Sequence, residues 1–220
     1  MVDINFLFSW LNVLQREVLR RRMLLTRLLK IAVWLVVLGY LVVWGLYASG
    51  QVKSVALLSE WGRKLGTISF VFYMLTLLPS MVRRLKFPRL LPVMSILLPF
   101  RRQFGVLMFL TAFAHQGFTT ILPNLVFIDF EYSKLALQLS AHHIAGFVAW
   151  WLLFPLWLTS NDASVKYLGK WWKRIHKLTY VAIFAIMAHL ALVDHWLYAV
   201  VLIGILLANG WGLMRNRRKK

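Results

Sequence analysis

Six histidines and no cysteine set the metal chemistry open to this chain of 220 residues. Without thiols there is no disulfide, no thiolate nucleophile, no cysteine-ligated iron–sulfur cluster and no Cys-x-x-Cys-His attachment of a c-type haem. Any haem is therefore held non-covalently. His115, in Phe-Ala-His-Gln, and His189, in Met-Ala-His-Leu, lie inside long apolar runs, where an ionisable group is costly and marks function. His176 stands at the entrance to the run that carries His189, while His142 and His143 lie near one end of another. His195, beside Asp194, opens the last run and reads as part of an interfacial pair.

These histidines acquire meaning from depth. A helix rises about 1.5 Å per residue, so His115, fourteen residues beyond Arg101, lies about 21 Å from that end, and His189, thirteen beyond His176, about 20 Å. If both runs point the same way across a bilayer, the two imidazoles stand at one height in the outer leaflet. Two neutral imidazoles on facing helices suit the axial positions of a haem in an apolar slot. The plainer alternative is that each merely hydrogen-bonds a neighbouring helix or lines a watery cavity; the matched depth argues against it. His142 and His143 fall some 24 Å from Asn161 by the same count, near that height. One could contact a propionate, act as an alternative ligand or receive an external substrate, and a polar interfacial cap is an equal reading. Adjacent helical residues diverge by roughly 100°, so only one can face a given neighbour.

The elements that must position these residues are membrane spans. The chain is 60% hydrophobic and 15% charged, against about 45–50% and a quarter in ordinary soluble domains. Charge-free runs cover 31–49, 65–82, 103–128, 135–161 and 195–214, and 178–193 completes a sixth by borrowing flanking residues. Leu90 to Phe100 carries Pro92 and Pro99, with Pro88 before it, and reads as a buried or interfacial connection too short to span. With the N-terminus inside, all 26 cations except Lys53, Arg63, Lys64 and Lys134 fall in cytoplasmic segments, and those four keep company with Glu60, Asp129, Glu131 and Asp194. That distribution explains the +19 net charge as topology and contact with anionic lipid, and removes nucleic acid as a partner. Leu7, Leu11, Leu14 and Val18 recur at helical spacing ahead of the basic cluster, which indicates an amphipathic helix on the inner surface and no cleavable signal. The expected fold is all-α: a six-transmembrane-helix bundle over 31–214, an interfacial amphipathic helix over 1–30, a basic tail over 215–220, and both termini cytoplasmic. Trp44, Trp61, Trp171, Trp172 and Trp196 fall near span ends, as an aromatic belt requires. Gly62 and Gly66 have the spacing of a close helix contact.

Arg-Arg-Gln-Phe-Gly-Val-Leu at 101–107 leading to His115, then Leu-Gly-Lys-Trp-Trp-Lys-Arg-Ile-His-Lys-Leu-Thr-Tyr at 168–180 leading to His189, resembles the ferric-reductase-like transmembrane domain. That superfamily includes NADPH oxidases, ferric reductases and, most similar to this chain, the haem-binding membrane subunit of the bacterial periplasmic methionine sulfoxide reductase system. The resemblance implies transmembrane electron transfer through b-type haem in a bacterial cytoplasmic membrane, from a cytosolic flavin/NAD(P)H reductase to an outer acceptor. It assigns His115 and His189 to the outer haem and His176 to an inner one. The other inner ligand would fall at Arg101, whose permanently protonated guanidinium cannot bind iron. The inner site could thus hold a second haem with a weak or missing ligand, a flavin such as FMN with its phosphate on Arg101 and Arg102, or a quinone. Paired arginines suit an anionic group, and positive-inside anchoring accounts for them equally. No nucleotide-binding fingerprint occurs, so hydride must be taken from NAD(P)H by a separate protein, or electrons must come from a quinol. The acceptor is then a periplasmic or extracellular redox protein or a small species such as Fe(III) or oxygen. Two competing classes are a quinol-linked cytochrome b and a non-redox transporter or scaffold.

Overall fold

A computed structural model describes residues 4–52, 54–86, 90–123 and 140–217, with side chains from Trp10 to Arg215. Lys53, Pro88, Arg89, Asp129, Glu131, Lys134, the start of the fourth run at Leu135 and residues 218–220 lie outside the described residues. Ten α-helices follow one another, with no strand among the described residues: α1 (Ile4–Arg20), α2 (Arg22–Ala48), α3 (Val55–Leu85), α4 (Leu91–Leu97), α5 (Arg101–Gln116), α6 (Ala141–Leu158), α7 (Asp162–Leu168), α8 (Lys170–Ile175), α9 (Leu178–Leu192) and α10 (Trp196–Arg217). Among the described residues six helical stretches are long and apolar enough to cross a membrane: α2, α3, Leu91–Ile121, α6, Lys170–Leu192 and α10. The protein is an integral membrane protein.

Local chemistry sets the ends. Ser54 caps α3 by accepting a hydrogen bond from the Leu57 amide, and Asn161 caps α7 through the Ser164 amide. The segment from Leu90 to Phe100, expected as a broken connection, is helical and runs straight into α5 through a 3-10 turn at Leu98–Phe100. Pro92 and Pro99 each fall in a first turn, where a missing amide hydrogen costs nothing. This short helix α4 packs against α1 and α3. The first span likewise begins at Arg22, so Arg27 and Lys30 ride on its opening turns.

Five helices close a ring: α5 packs on α3, α3 on α10, α10 on α9, α9 on α6, and α6 back on α5. Helix α2 lies outside it, held to α5 and the following turn by Tyr40 between Phe113 and Phe118. Tyr73, Leu77, Met108, Phe109, Leu153, Leu156, Ile183 and Leu202 fill the interior. Tyr73 donates its hydroxyl to the Thr179 carbonyl at 2.8 Å, and Ser69 to the Met108 carbonyl at 2.9 Å, so both of these buried hydroxyls are paired. By contrast, α5 and α9 make no extended backbone contact across the ring.

At the basic end α3 and α10 approach closely. Arg84 donates to Asn209 Oδ1 at 2.9 Å, and a Cβ on Gly212 would stand 3.1 Å from the backbone and Cβ of Arg84. Backbone cannot swing aside, so Gly212→Val is expected to cost about 1–3 kcal/mol of stability by overpacking. Gly210→Val, whose Cβ would meet nothing within 4 Å, should be close to neutral. Thermal unfolding in detergent compares the two.

Candidate functional site

The ring brings together the two histidines that depth arithmetic paired. His115, one residue before the end of α5, and His189, near the end of α9, face each other with ring centres 6.0 Å apart and planes inclined at 74°. Each ring is half-buried and tied down by one bond of the same kind. His115 Nδ1 lies 2.8 Å from the Gly62 carbonyl on α3, and His189 Nδ1 lies 2.8 Å from the His142 carbonyl on α6. A carbonyl oxygen only accepts, so both Nδ1 atoms carry the proton. In the neutral ring that leaves each Nε2 with its lone pair, the tautomer a metal needs. Among the described residues no hydrogen bond occupies either Nε2.

Directly after His115 the helix widens into a π-turn over Gly117–Ile121, and the Thr119 hydroxyl donates to the His115 carbonyl at 2.8 Å. Such turns recur at functional sites because they re-aim the residues beside them. Here the turn is braced by Tyr40, whose hydroxyl would lie 2.6 Å from a Cβ on Gly117.

The donor set discriminates between a bare ion and a chelated one. Among the described residues no three or more His, Asp or Glu side chains gather as a protein-only metal site would require. Two imidazoles alone suit a metal that brings its own equatorial ligands, as a porphyrin does. An iron shared by two imidazoles sets their ring centres roughly 6–6.5 Å apart, from metal–nitrogen bonds of about 2.0–2.1 Å plus the distance from nitrogen to ring centre. The observed 6.0 Å fits that group. Trp150 on α6 adds a second sign, since its buried Nε1 has no partner among the described residues and sits one turn beyond Gly146, which packs on His189. An unspent buried donor beside the slot awaits an acceptor.

His142 and His143 reach the same end. Their rings lie 4.0 Å apart and share the Ser140 hydroxyl, at 2.7 Å from His142 Nδ1 and 2.8 Å from His143 Nδ1. The His142 ring is 6.3 Å from His189, but its backbone carbonyl makes the closer contribution.

At the basic end His176 terminates α8 and stacks on Trp172, ring centres 4.0 Å apart. Its Nε2 is 3.2 Å from the Thr159 hydroxyl, while Trp172 donates its indole hydrogen to the Thr159 carbonyl at 2.9 Å. Arg101 and Arg102 lie close enough to act electrostatically on His176, yet they are not equivalent. Arg102 is spent on Asp162 at 2.6 Å, whereas Arg101 is half-buried near Arg83, Arg84 and Tyr180. Between the two ends runs a column of aromatic rings: Phe113, Trp150, Phe109, Phe154 and Trp157, with neighbouring centres 4.9–6.1 Å apart.

Sequence reasoning missed the carbonyls of Gly62 and His142, Gly146, Trp150 and the partners of Arg101. Gly146 carried a signal: it follows His142 at the same four-residue spacing that separates Gly62 from Gly66.

Residues 65–187, which contain His115 and His176 and end just before His189, match the family described as the ferric reductase like transmembrane component. Over 181 residues, 79% of this chain and 76% of the relative, the protein is 31% identical to the protein-methionine-sulfoxide reductase heme-binding subunits MsrQ of Brucella ovis, Brucella canis and Brucella suis. No solved structure matches it significantly.

Proposed function

Because the chain belongs to the ferric reductase like transmembrane component family, we propose that it conducts electrons across a membrane through b-type haem held by His115 and His189. The observation that carries this reading is the facing pair of imidazoles, each donating its Nδ1 hydrogen to a backbone carbonyl. Haem bound there supplies a one-electron iron couple. His115 and His189 would hold the haem through their Nε2 atoms, and the carbonyls of Gly62 and His142 would keep the rings oriented and raise their basicity. Phe113 on α5 and Trp150 on α6 pack with ring centres 5.8 Å apart and give the two helices an apolar contact next to the histidines, a setting that disfavours water.

At the basic end His176 serves an inner cofactor, and its hydrogen bond to Thr159 and its stack on Trp172 hold the ring in place. Since Arg102 is committed to Asp162, Arg101 is the arginine left to meet an anionic group, with Arg83 beside it. That suits the phosphate of a flavin such as FMN or the propionate of a second haem better than an uncharged quinone. The cation distribution supports reading this as the cytoplasmic side of a bacterial cytoplasmic membrane, with both termini there. Electrons then enter from a cytosolic flavin/NAD(P)H reductase and leave at the end carrying His142 and His143. The Brucella relatives are named as subunits of a protein-methionine-sulfoxide reductase, which favours a periplasmic redox protein as the acceptor.

The test is the absorption spectrum of detergent-purified protein, oxidised and dithionite-reduced, with pyridine haemochrome quantitation. A low-spin b-type spectrum at about one haem per chain is expected from a single bis-imidazole site. Two haems would mean that Arg101 does not exclude the second, and no haem under ample haem supply would overturn the reading in favour of a non-redox transporter or scaffold.

A further inference from the structure

The two histidines are docked by one repeated device. On α3 the carbonyl of Gly62 accepts from His115, and four residues on stands Gly66, where an added Cβ would lie 3.0 Å from His115 Nδ1, 3.1 Å from Cε1 and 3.3 Å from Cγ. On α6 the carbonyl of His142 accepts from His189, and four residues on stands Gly146, where a Cβ would lie 3.1 Å from His189 Nδ1 and 3.4 Å from Cε1. The residue giving the carbonyl differs between the two, glycine in one and histidine in the other. The glycine four residues later does not.

Helix geometry explains why. A helical carbonyl at position i already accepts from the amide at i+4, and the side chain at i+4 stands over the same face. That side chain ordinarily shields the carbonyl's second lone pair. Glycine at i+4 removes the shield, so an imidazole from the neighbouring helix can lie flat against the backbone and donate to the exposed oxygen. The ring is then fixed twice, by a hydrogen bond at one edge and by contact across its face.

We propose that Gly66 and Gly146 are positioning residues for the haem ligands, two matching shelves that hold the imidazole planes of His115 and His189 close to perpendicular. The inference rests on the reading of these histidines as iron ligands and concerns their mutual angle, 74°. Ring planes in bis-imidazole haem contain the iron–nitrogen axis, so the angle between them sets the splitting of the iron orbitals that overlap the rings. Parallel planes split these orbitals and give a fully resolved rhombic resonance. Perpendicular planes leave them nearly degenerate and give one highly anisotropic feature at large g.

Full-length protein with haem bound is examined by low-temperature electron paramagnetic resonance and by redox titration, alongside Gly66→Ala, Gly146→Ala and Gly105→Ala. Position 105 lies on α5, and a Cβ there would meet only Thr76 Cγ2, at 3.9 Å. Wild type and Gly105→Ala are expected to show the single large-g feature. Gly66→Ala, with the tighter contacts, should move furthest toward the rhombic form and shift the midpoint potential; Gly146→Ala should move less in the same sense. If Gly66→Ala does not accumulate, the gentler Gly146→Ala decides. A rhombic wild-type spectrum, or a Gly146→Ala spectrum and potential identical to wild type, overturns the proposal. His115→Ala and His189→Ala run in parallel separate the two failures. If either keeps low-spin haem, the ligand assignment falls; if both lose it while the glycine variants look native, only the shelves fall.

Discussion

His115→Ala and His189→Ala are each expected to abolish the low-spin haem signal while the protein still inserts and purifies as a folded monodisperse species. The two effects should be equally complete, because the nearest other imidazoles, His142 and His143, are held by the Ser140 hydroxyl. Loss of one imidazole leaves the carbonyl it had engaged, Gly62 or His142, with its helical amide partner alone, so the cost is that of one net hydrogen bond, about 0.5–1.5 kcal/mol. That penalty is local, since the core around Tyr73, Leu77, Phe109 and Leu202 is built without either ring. His115→Gln refines the experiment: an amide can still donate to the Gly62 carbonyl but offers iron no imidazole, so it should fold better than His115→Ala and bind haem no better. Pyridine haemochrome content and the reduced-minus-oxidised spectrum are the readouts. Full low-spin spectra in both alanine variants would falsify the assignment.

The second large effect is expected at the opposite end. His176→Ala should leave the outer haem spectrum and its reduction by dithionite intact, yet slow reduction by NAD(P)H through a soluble flavin reductase by on the order of 10–100-fold, the range typical when a residue supporting a cofactor is lost. Its neighbours make the ring more than a space filler: Thr159 engages Nε2 through its hydroxyl and receives the Trp172 indole on its carbonyl. Trp172→Phe keeps the stack and removes only the bond to Thr159, so a smaller effect there apportions the loss between ring orientation and ring chemistry. Unchanged NAD(P)H-linked reduction in His176→Ala would assign His176 to packing and exclude it from the electron path.

The spans were legible because bilayer thickness writes itself into the length of charge-free runs. The pairing of His115 with His189 was legible because helical rise converts residue number into height. The segment around Pro92 and Pro99 is a seven-residue helix ended by a 3-10 turn, short and interrupted as its prolines required; its continuation into α5 as one helical stretch, Leu91–Ile121, was not legible. Arg101 and Arg102 looked interchangeable in sequence; Asp162, sixty residues away, distinguishes them, and nothing local announces that contact. The docking of each imidazole was hidden for a related reason. Its acceptor is a backbone carbonyl, which every residue possesses, and only the glycine one turn later leaves a trace in the sequence.

The separation in chain order between each histidine and its acceptor bears on biogenesis. His115 docks 53 residues after Gly62, and His189 docks 47 residues after His142. Each docking bond thus lies within one antiparallel hairpin, α3 with α5 or α6 with α9, and neither histidine takes its acceptor from the other hairpin. During synthesis the first hairpin can seat its ligand while the second is still unmade, in keeping with the sequential folding of units from the N-terminus. The halves need to recognise each other only once both rings are already set, so capture of the prosthetic group can be the closing event of assembly and need not be the template for it.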